Sequence, residues 1–81
     1  MTNTQIIHQA IEREIFLGKF ILSTYSEKIK QLEKKYKIKT SSFIRQFEKG
    51  RIGDEQDFFE WFALYNGKKH WEEKLSALKA A

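Results

Sequence analysis

The chain has 81 residues, no cysteine, no proline and a net charge of +4 at pH 7. Without cysteine it has no disulfide or thiolate metal site, and two histidines supply at most half of a four-ligand zinc site. No stretch reaches the roughly 20 apolar residues that span a bilayer, and the first residues do not form an export signal. We therefore expect one small cytoplasmic domain over residues 1–81, with no metal or other cofactor, stabilised by packing or by a partner.

A long first helix is predicted from about Thr4 to Tyr36, with Asn3 or Thr4 as its N-cap. The apolar stripe of this helix has residues three and four apart, as in a heptad seam: His8, Ile11, Ile15, Gly18, Leu22, Tyr25, Ile29, Leu32 and Tyr36. Further apolar residues widen the stripe in the first half of the helix: Ile7, Phe16, Leu17, Phe20 and Ile21. A helix of about 30 residues extends roughly 45 Å, more than a small domain covers. We therefore expect part of the stripe to contact another chain, as in a dimer or a coiled coil.

A short second helix is predicted to open at Thr40 or Ser41, and its apolar face includes Phe43 and Phe47. Gly50 is expected to close this helix in a left-handed conformation, which costs glycine little. The second helix would then turn the chain back toward the first.

A third helix is predicted from about Glu55 to Leu78, with Asp54 as N-cap and Asp57 in the first turn, where the helix dipole favours carboxylates. This helix is expected to loosen near Gly67, because glycine is a poor helix former. The three helices together predict an all-α fold, in which the long first helix packs against the third as an elongated helical hairpin that dimerises or docks a partner.

The pattern gives little support for catalysis or metal binding. The acidic residues at the start of the third helix lack EF-hand spacing, and the chain has no HExxH and no glycine-rich phosphate loop. His70 and Glu73 stand three apart, but a metal site in a helical bundle needs further carboxylates from other helices. No Ser/His/acid or Cys/His set can be nominated, so we do not expect an enzyme.

Aromatic residues make up 15% of the chain and are concentrated at the start of the third helix. There they spread around more than half of the helix, which one neighbouring helix cannot cover. Exposed Trp, Tyr and Phe side chains often anchor protein interfaces. We therefore predict an acidic and aromatic partner-binding surface: Asp54, Asp57, Phe58, Phe59, Glu60, Trp61 and Tyr65.

A second candidate surface is the set of lysines at the end of the first helix: Lys28, Lys30, Lys34, Lys35, Lys37 and Lys39. These cations could contact nucleic-acid phosphates, but cations also stabilise a helix C-terminus. The third helix, which would have to read a DNA groove, begins with acidic residues that phosphate repels. Nucleic-acid binding is therefore the less favoured alternative, and a purely structural, coiled-coil-like homo-oligomer is another.

The segment FIRQFEKGRIGDEQDFFEWFALY resembles a pattern in small prokaryotic antitoxin-like proteins, in particular the antitoxin partner of TumE-type toxins. The shared pattern is a short helix with phenylalanine, an acidic turn with glycine, and then Asp, an aromatic residue and Glu-Trp. Its residues are Phe43, Phe47, Gly50, Gly53, Asp54, Phe59, Glu60, Trp61 and Tyr65. This resemblance implies neutralisation of a cognate toxin by direct binding. The expected mechanism is occlusion, in which the carboxylates pair with basic residues of the toxin that would otherwise hold an anionic substrate such as RNA.

Overall fold

In a computed structural model that describes residues 2–81, the chain forms three α-helices: α1 (Asn3–Tyr36), α2 (Thr40–Glu48) and α3 (Gln56–Ala80). The long helices α1 and α3 pack against each other in opposite directions, and the short α2 packs near the end where they are joined. The molecule measures 55 × 21 × 17 Å. The predicted all-α fold and elongated helical hairpin are confirmed.

The first helix begins one or two residues earlier than predicted. Thr2 is the N-cap, and its hydroxyl oxygen accepts a hydrogen bond from the backbone N–H of Gln5 at 3.2 Å. The Gln5 side chain accepts in return from the Thr2 backbone N–H at 3.0 Å, which completes a capping box. The predicted cap at Asn3 or Thr4 is wrong because only Thr2 has a glutamine three residues later.

The junction between α1 and α2 depends on a carboxylate from α1. Lys37 ends α1 with φ at 55°, in the left-handed region. The second helix begins at Thr40, as predicted, but the side chain at its N-cap position, Lys39, makes no cap hydrogen bond. Instead Glu33 accepts from both the backbone N–H and the hydroxyl of Thr40, each at 2.8 Å. A residue of α1 therefore caps α2.

The C-terminus of α2 confirms the role predicted for Gly50. This glycine has φ at 65°, and its N–H donates to the carbonyl of Phe47 at 3.1 Å. The next N–H, of Arg51, donates to the carbonyl of Gln46 at 2.9 Å. These two bonds define a Schellman motif, in which glycine avoids the steric cost of the left-handed conformation.

The start of α3 differs from the prediction. Glu55, not Asp54, occupies the N-cap position, and its side chain makes no cap hydrogen bond. Asp57 lies in the first turn, as expected, but its carboxylate is bound by side chains of α1. The helix also continues without a break through Gly67, where loosening was expected.

The heptad seam of α1 faces α3, so we call its nine predicted residues the inner seam. Gly18 and Ile29 are buried there, and most of the others are half-buried. The two helices approach closely at one glycine of each helix. A Cβ at Gly18 of α1 would lie 2.8 Å from the Trp71 ring. A Cβ at Gly67 of α3 would lie 2.7 Å from the Tyr25 ring. Gly67 therefore makes room for a ring instead of loosening its helix.

The hairpin arms differ in length. The 34 residues of α1 span roughly 51 Å and the 25 residues of α3 roughly 38 Å, so α1 extends past the end of its partner. The last ion pair between the arms joins Lys74 and Glu14 at 2.8 Å. Residues 2–10 of α1 are all exposed, including His8, which was predicted to lie on the apolar stripe. Across residues 2–81, no helix combines the length and hydropathy required of a membrane span.

Candidate protein-interaction site

The acidic and aromatic surface predicted at the start of α3 is divided by the fold. Trp61 is fully buried and Phe58 is 6% exposed, so a partner that docks on this conformation cannot reach either ring. Because Phe58 and Trp61 are buried, the prediction that they contact a partner is corrected. Both belong to the main core cluster: Ile29, Phe43, Ile44, Phe58, Trp61 and Leu64.

The second helix is what buries these rings. The indole of Trp61 stacks on the Phe43 ring, with centroids 4.0 Å apart and planes 4° from parallel. Its N–H donates to the Thr40 hydroxyl at 3.1 Å, so the one polar atom of the indole is also satisfied. The centroid of the Phe58 ring lies 4.9 Å from that of Tyr36 and 5.7 Å from that of Phe43. The short α2 therefore completes an aromatic core at the joined end of the hairpin.

Asp57 is held within the protein instead of being presented to a partner. One of its carboxylate oxygens, Oδ2, accepts from the Lys35 ammonium and from the Tyr36 hydroxyl, both at 2.6 Å. These hydrogen bonds, first the one from Lys35 and then the one from Tyr36, lower the pKa of Asp57 from its usual 3.8. The same carboxylate raises the pKa of the Lys35 ammonium and of the Tyr36 hydroxyl. The cluster joins α3 to the end of α1.

Part of the predicted surface remains available. Phe59 is 55% exposed, and Asp54 and Glu60 are exposed near it. The Phe59 ring meets Phe47 edge-on with centroids 5.5 Å apart. Tyr65 is half-buried, and the Lys69 ammonium lies 5.5 Å from the centre of its ring. A single exposed phenylalanine with carboxylates nearby is a small contact, which we call the acidic edge: Asp54, Phe59 and Glu60.

The lysines at the end of α1 do not converge on one site. Lys28 and Lys35 border a cleft that also contains Asp57 and Glu60. Lys30 instead lines a different groove, of about 330 Å³. Within residues 2–81, the only ion pair that involves the predicted lysine set is Lys35–Asp57. The six side chains therefore present distributed positive charge and not a defined pocket.

The largest exposed apolar surface lies elsewhere, on the half of α1 that extends from its N-terminus. Five large apolar side chains are 49–76% exposed there: Ile6, Ile7, Phe16, Leu17 and Phe20. A shallow groove of about 560 Å³ runs beside them, lined by Gln9, Glu12, Arg13, Phe16 and Leu17. Large apolar patches exposed on a protein surface usually have a binding role.

Three of these exposed residues, Ile6, Leu17 and Phe20, belong to a second heptad-like run, spaced four and three apart: Ile6, Ala10, Arg13, Leu17, Phe20 and Thr24. We call this run the outer seam. At 100° per residue it lies on roughly the opposite side of α1 from the inner seam. Phe16 flanks it on one side and the half-buried Ile21 on the other. The first half of α1 thus has one apolar seam for α3 and another that faces solvent.

The sequence contained the signal for the outer seam, but the predicted site did not use it. Counted together, the extra apolar residues of α1 look like a widening of one stripe, and Ile6 lies outside that stripe. Testing the first 24 residues for a second three-four spacing would have separated the two seams.

The remaining polar and charged residues lie at or near the surface in 2–81. Across residues 2–81, no group of three or more His, Asp and Glu side chains is arranged to hold a metal ion. His70 is exposed, with its ring 6.2 Å from that of Trp71. The same part of the chain contains no buried polar or charged residue of the kind that active sites use.

Searches of family models, curated proteins and solved structures each found no match to this chain. Inferences about its function therefore depend on its own residues and geometry.

Proposed function

We propose that the protein is a protein-binding module whose main docking surface is the outer seam of α1 with the flanking Phe16. The exposure of Phe16 (76%) and Phe20 (65%) on one helix is the observation that carries this proposal. Full burial of such a side chain contributes about 1.5–3 kcal/mol. Because each ring is more than half exposed, its burial by a partner would contribute about 1 kcal/mol or more to the free energy of binding. Aromatic side chains are also the usual anchors of protein interfaces.

The specific form that we propose is neutralisation of a cognate toxin in the cytoplasm by direct binding. Two features support it: the resemblance to antitoxin-like proteins, and the charge of the acidic edge. No lysine or arginine occurs between Gly53 and Gly67, whereas four carboxylates do. This segment would attract a basic partner surface and orient it, while the outer seam supplies apolar contact area.

Co-expression with the product of the adjacent gene tests the proposal. We expect the two proteins to co-purify, and we expect the chain to relieve any growth defect that the neighbour causes. A Phe16→Ser/Phe20→Ser double variant should lose the complex yet keep its helix content, because both rings are exposed. Gln31→Ser, an exposed change on α1 beyond the outer seam, is the matched control. A folded double variant that binds as tightly as the unaltered chain would refute this docking surface.

The acidic edge is tested separately by Phe59→Ser and Glu60→Lys. Both side chains are exposed, so the variants should fold normally. If the acidic edge steers the partner, Glu60→Lys should slow association most at low salt, whereas Phe59→Ser should mainly speed dissociation. If neither variant changes the kinetics, the acidic edge has no part in binding.

Nucleic-acid binding is a second candidate, favoured by the lysines at the end of α1. Apart from Lys35, these lysines make no ion pair with any other residue in 2–81. Binding through them predicts an affinity for a duplex or single strand that falls steeply with salt. Negligible binding at about 20 mM salt, a concentration at which phosphate contacts are strong, would eliminate this candidate.

A further inference from the structure

We propose that the outer seam of α1 binds the outer seam of a second copy of the same chain, with the two α1 helices antiparallel. This inference rests on the proposed docking surface, for which a second copy and the toxin would compete. The assembly would place two α1 helices at the centre and one α3 on each outer side.

The distribution of charge along α1 favours a second copy in this orientation. Residues 6–24 contain two acidic and two basic side chains, so the apolar half of the helix is neutral. Residues 28–39 contain six lysines and one glutamate, and that glutamate, Glu33, is occupied by Thr40. In an antiparallel pair joined through the neutral halves, the Lys34 residues lie roughly 57 Å apart, far beyond the Debye length of about 8 Å. A parallel pair would place the lysine-rich ends side by side.

The residues of the outer seam are also complementary to themselves in this orientation. A two-fold axis near Ile15 places Phe20 opposite Ala10 of the second copy, so that a large side chain packs on a small one. The same axis places Leu17 opposite the aliphatic stem of Arg13. The two Phe16 rings approach each other beside the axis.

The apolar area fits a reversible dimer. Fully buried phenylalanines contribute about 150–250 Å² each, so the exposed parts of Phe16 and Phe20 supply roughly 300 Å² per copy. The two exposed aliphatic residues of the outer seam, Ile6 and Leu17, add a smaller amount, for a total of roughly 900 Å² over both copies. This total is at the lower limit for a specific interface. We therefore expect dissociation in the micromolar range.

Sedimentation equilibrium from about 1 to 500 µM tests the association. We expect the chain to change from monomer to dimer over this range, and Phe20→Asp to raise the dissociation constant at least 100-fold. Ala63→Asp is the matched control, because it introduces the same charge at an exposed apolar position of α3 outside both proposed binding surfaces. A chain that is monomeric at the highest concentration, or a control that is weakened as much as Phe20→Asp, would overturn the proposal.

Spin-label distances test the orientation, and the absence of cysteine allows labels at single introduced sites. In an antiparallel dimer about residue 15, labels at Lys19→Cys lie close together, within roughly 25 Å, and labels at Lys34→Cys lie roughly 50 Å or more apart. Both substituted side chains are exposed. A short distance at both positions means a parallel pair and overturns the orientation. A long distance at both positions places the contact outside the outer seam and also overturns the proposed orientation.

Comparison with the co-expression experiment separates the two proposals. A monomeric chain whose complex with the neighbouring gene product requires Phe16 and Phe20 would overturn the second-copy inference and support the docking surface. A monomeric chain whose complex tolerates both serine substitutions would overturn both. Dimerisation that requires Phe20, without a complex, would support the second-copy inference and remove the toxin as partner.

Discussion

The indole of Trp71 on α3 lies directly against the backbone of Gly18 on α1. A Cβ built at Gly18 would be 2.8 Å from two carbons of that ring and 2.8 Å from a methyl carbon of Leu75. Tyr25 lies against Gly67 in the same way, with the ring on α1 and the glycine on α3. The hairpin is thus held together by two reciprocal contacts between a ring and a glycine, which bring the two long helices close together.

We expect Gly18→Ala to destabilise the protein although alanine is the better helix former. The added methyl group would have to displace a ring and a leucine, and overpacking of this kind costs about 1–3 kcal/mol. The gain in helix propensity returns about 1 kcal/mol. Urea unfolding should therefore show a net loss of up to about 2 kcal/mol.

Gly53→Ala is the control for this substitution. A Cβ at Gly53 would meet only the Phe58 ring, at an ordinary 3.8 Å, and the φ of Gly53 is not positive. The free energy of unfolding of the Gly53→Ala variant should differ from that of the unaltered protein by less than about 0.5 kcal/mol. A Gly18→Ala variant as stable as the unaltered protein would show that the ring moves freely and that the close approach has no energetic role.

The sequence predicted the fold because its determinants are periodic and local. Three-four spacing defined the long helices, and Gly50 marked the end of α2 through a conformation that few other residues adopt. The identity of the exposed rings was not predictable in the same way. It depends on where α2 packs, and thereby on the contact of Phe43 with Trp61, which are 18 positions apart in sequence. Asp57 likewise has partners on another helix, so dipole arguments at its own helix start could not identify them.

Trp61 should be a main determinant of stability and not a binding residue. It is fully buried, stacked on Phe43 and hydrogen-bonded to Thr40. Trp61→Ala should cost about 3–5 kcal/mol, a large part of the total stability of a small domain. Thermal unfolding followed by circular dichroism would measure this loss.

Phe59→Ala provides the comparison for Trp61→Ala, because both residues are aromatic and lie on α3. Phe59 is 55% exposed, so its substitution should cost less than about 1 kcal/mol. Similar losses for the two variants would mean that the aromatic core is not packed as described. Tests of partner binding should accordingly change Phe59 or Glu60, since loss of Trp61 would remove the fold together with any surface.

Glu33 should stabilise α2 from a position seven residues before that helix begins. Its carboxylate accepts from the N–H and the hydroxyl of Thr40, and Glu33→Ala would leave both donors without this acceptor. We expect a loss of about 1–2 kcal/mol, with faster hydrogen exchange at the first amides of α2. Glu33→Gln retains one acceptor oxygen and should lose less. Glu48→Ala, at an exposed position, should be nearly neutral, and an equal effect from it would contradict a capping role.

The cluster of Asp57, Lys35 and Tyr36 should make stability depend on pH at both extremes. The lowered pKa of Asp57 means that its contribution is present above the usual value of 3.8 and is lost as pH falls through the lower folded value. The raised pKa values of Tyr36 and Lys35 mean that their contributions are present below about 10, and are lost as pH rises through the higher folded values.

Asp57→Asn removes the carboxylate that raises the pKa of Lys35 and of Tyr36, together with the group whose own pKa these two residues lower. The melting temperature of this variant should therefore fall less steeply below pH 4 and above pH 10 than that of the unaltered protein. Between these limits the variant should melt lower, because the amide oxygen is a weaker acceptor for an ammonium than a carboxylate is. Calorimetry from pH 2.5 to 11 would measure both effects, with Glu60→Gln as a nearby exposed control. Parallel melting profiles for Asp57→Asn and the unaltered protein would show that the cluster contributes nothing to the pH dependence.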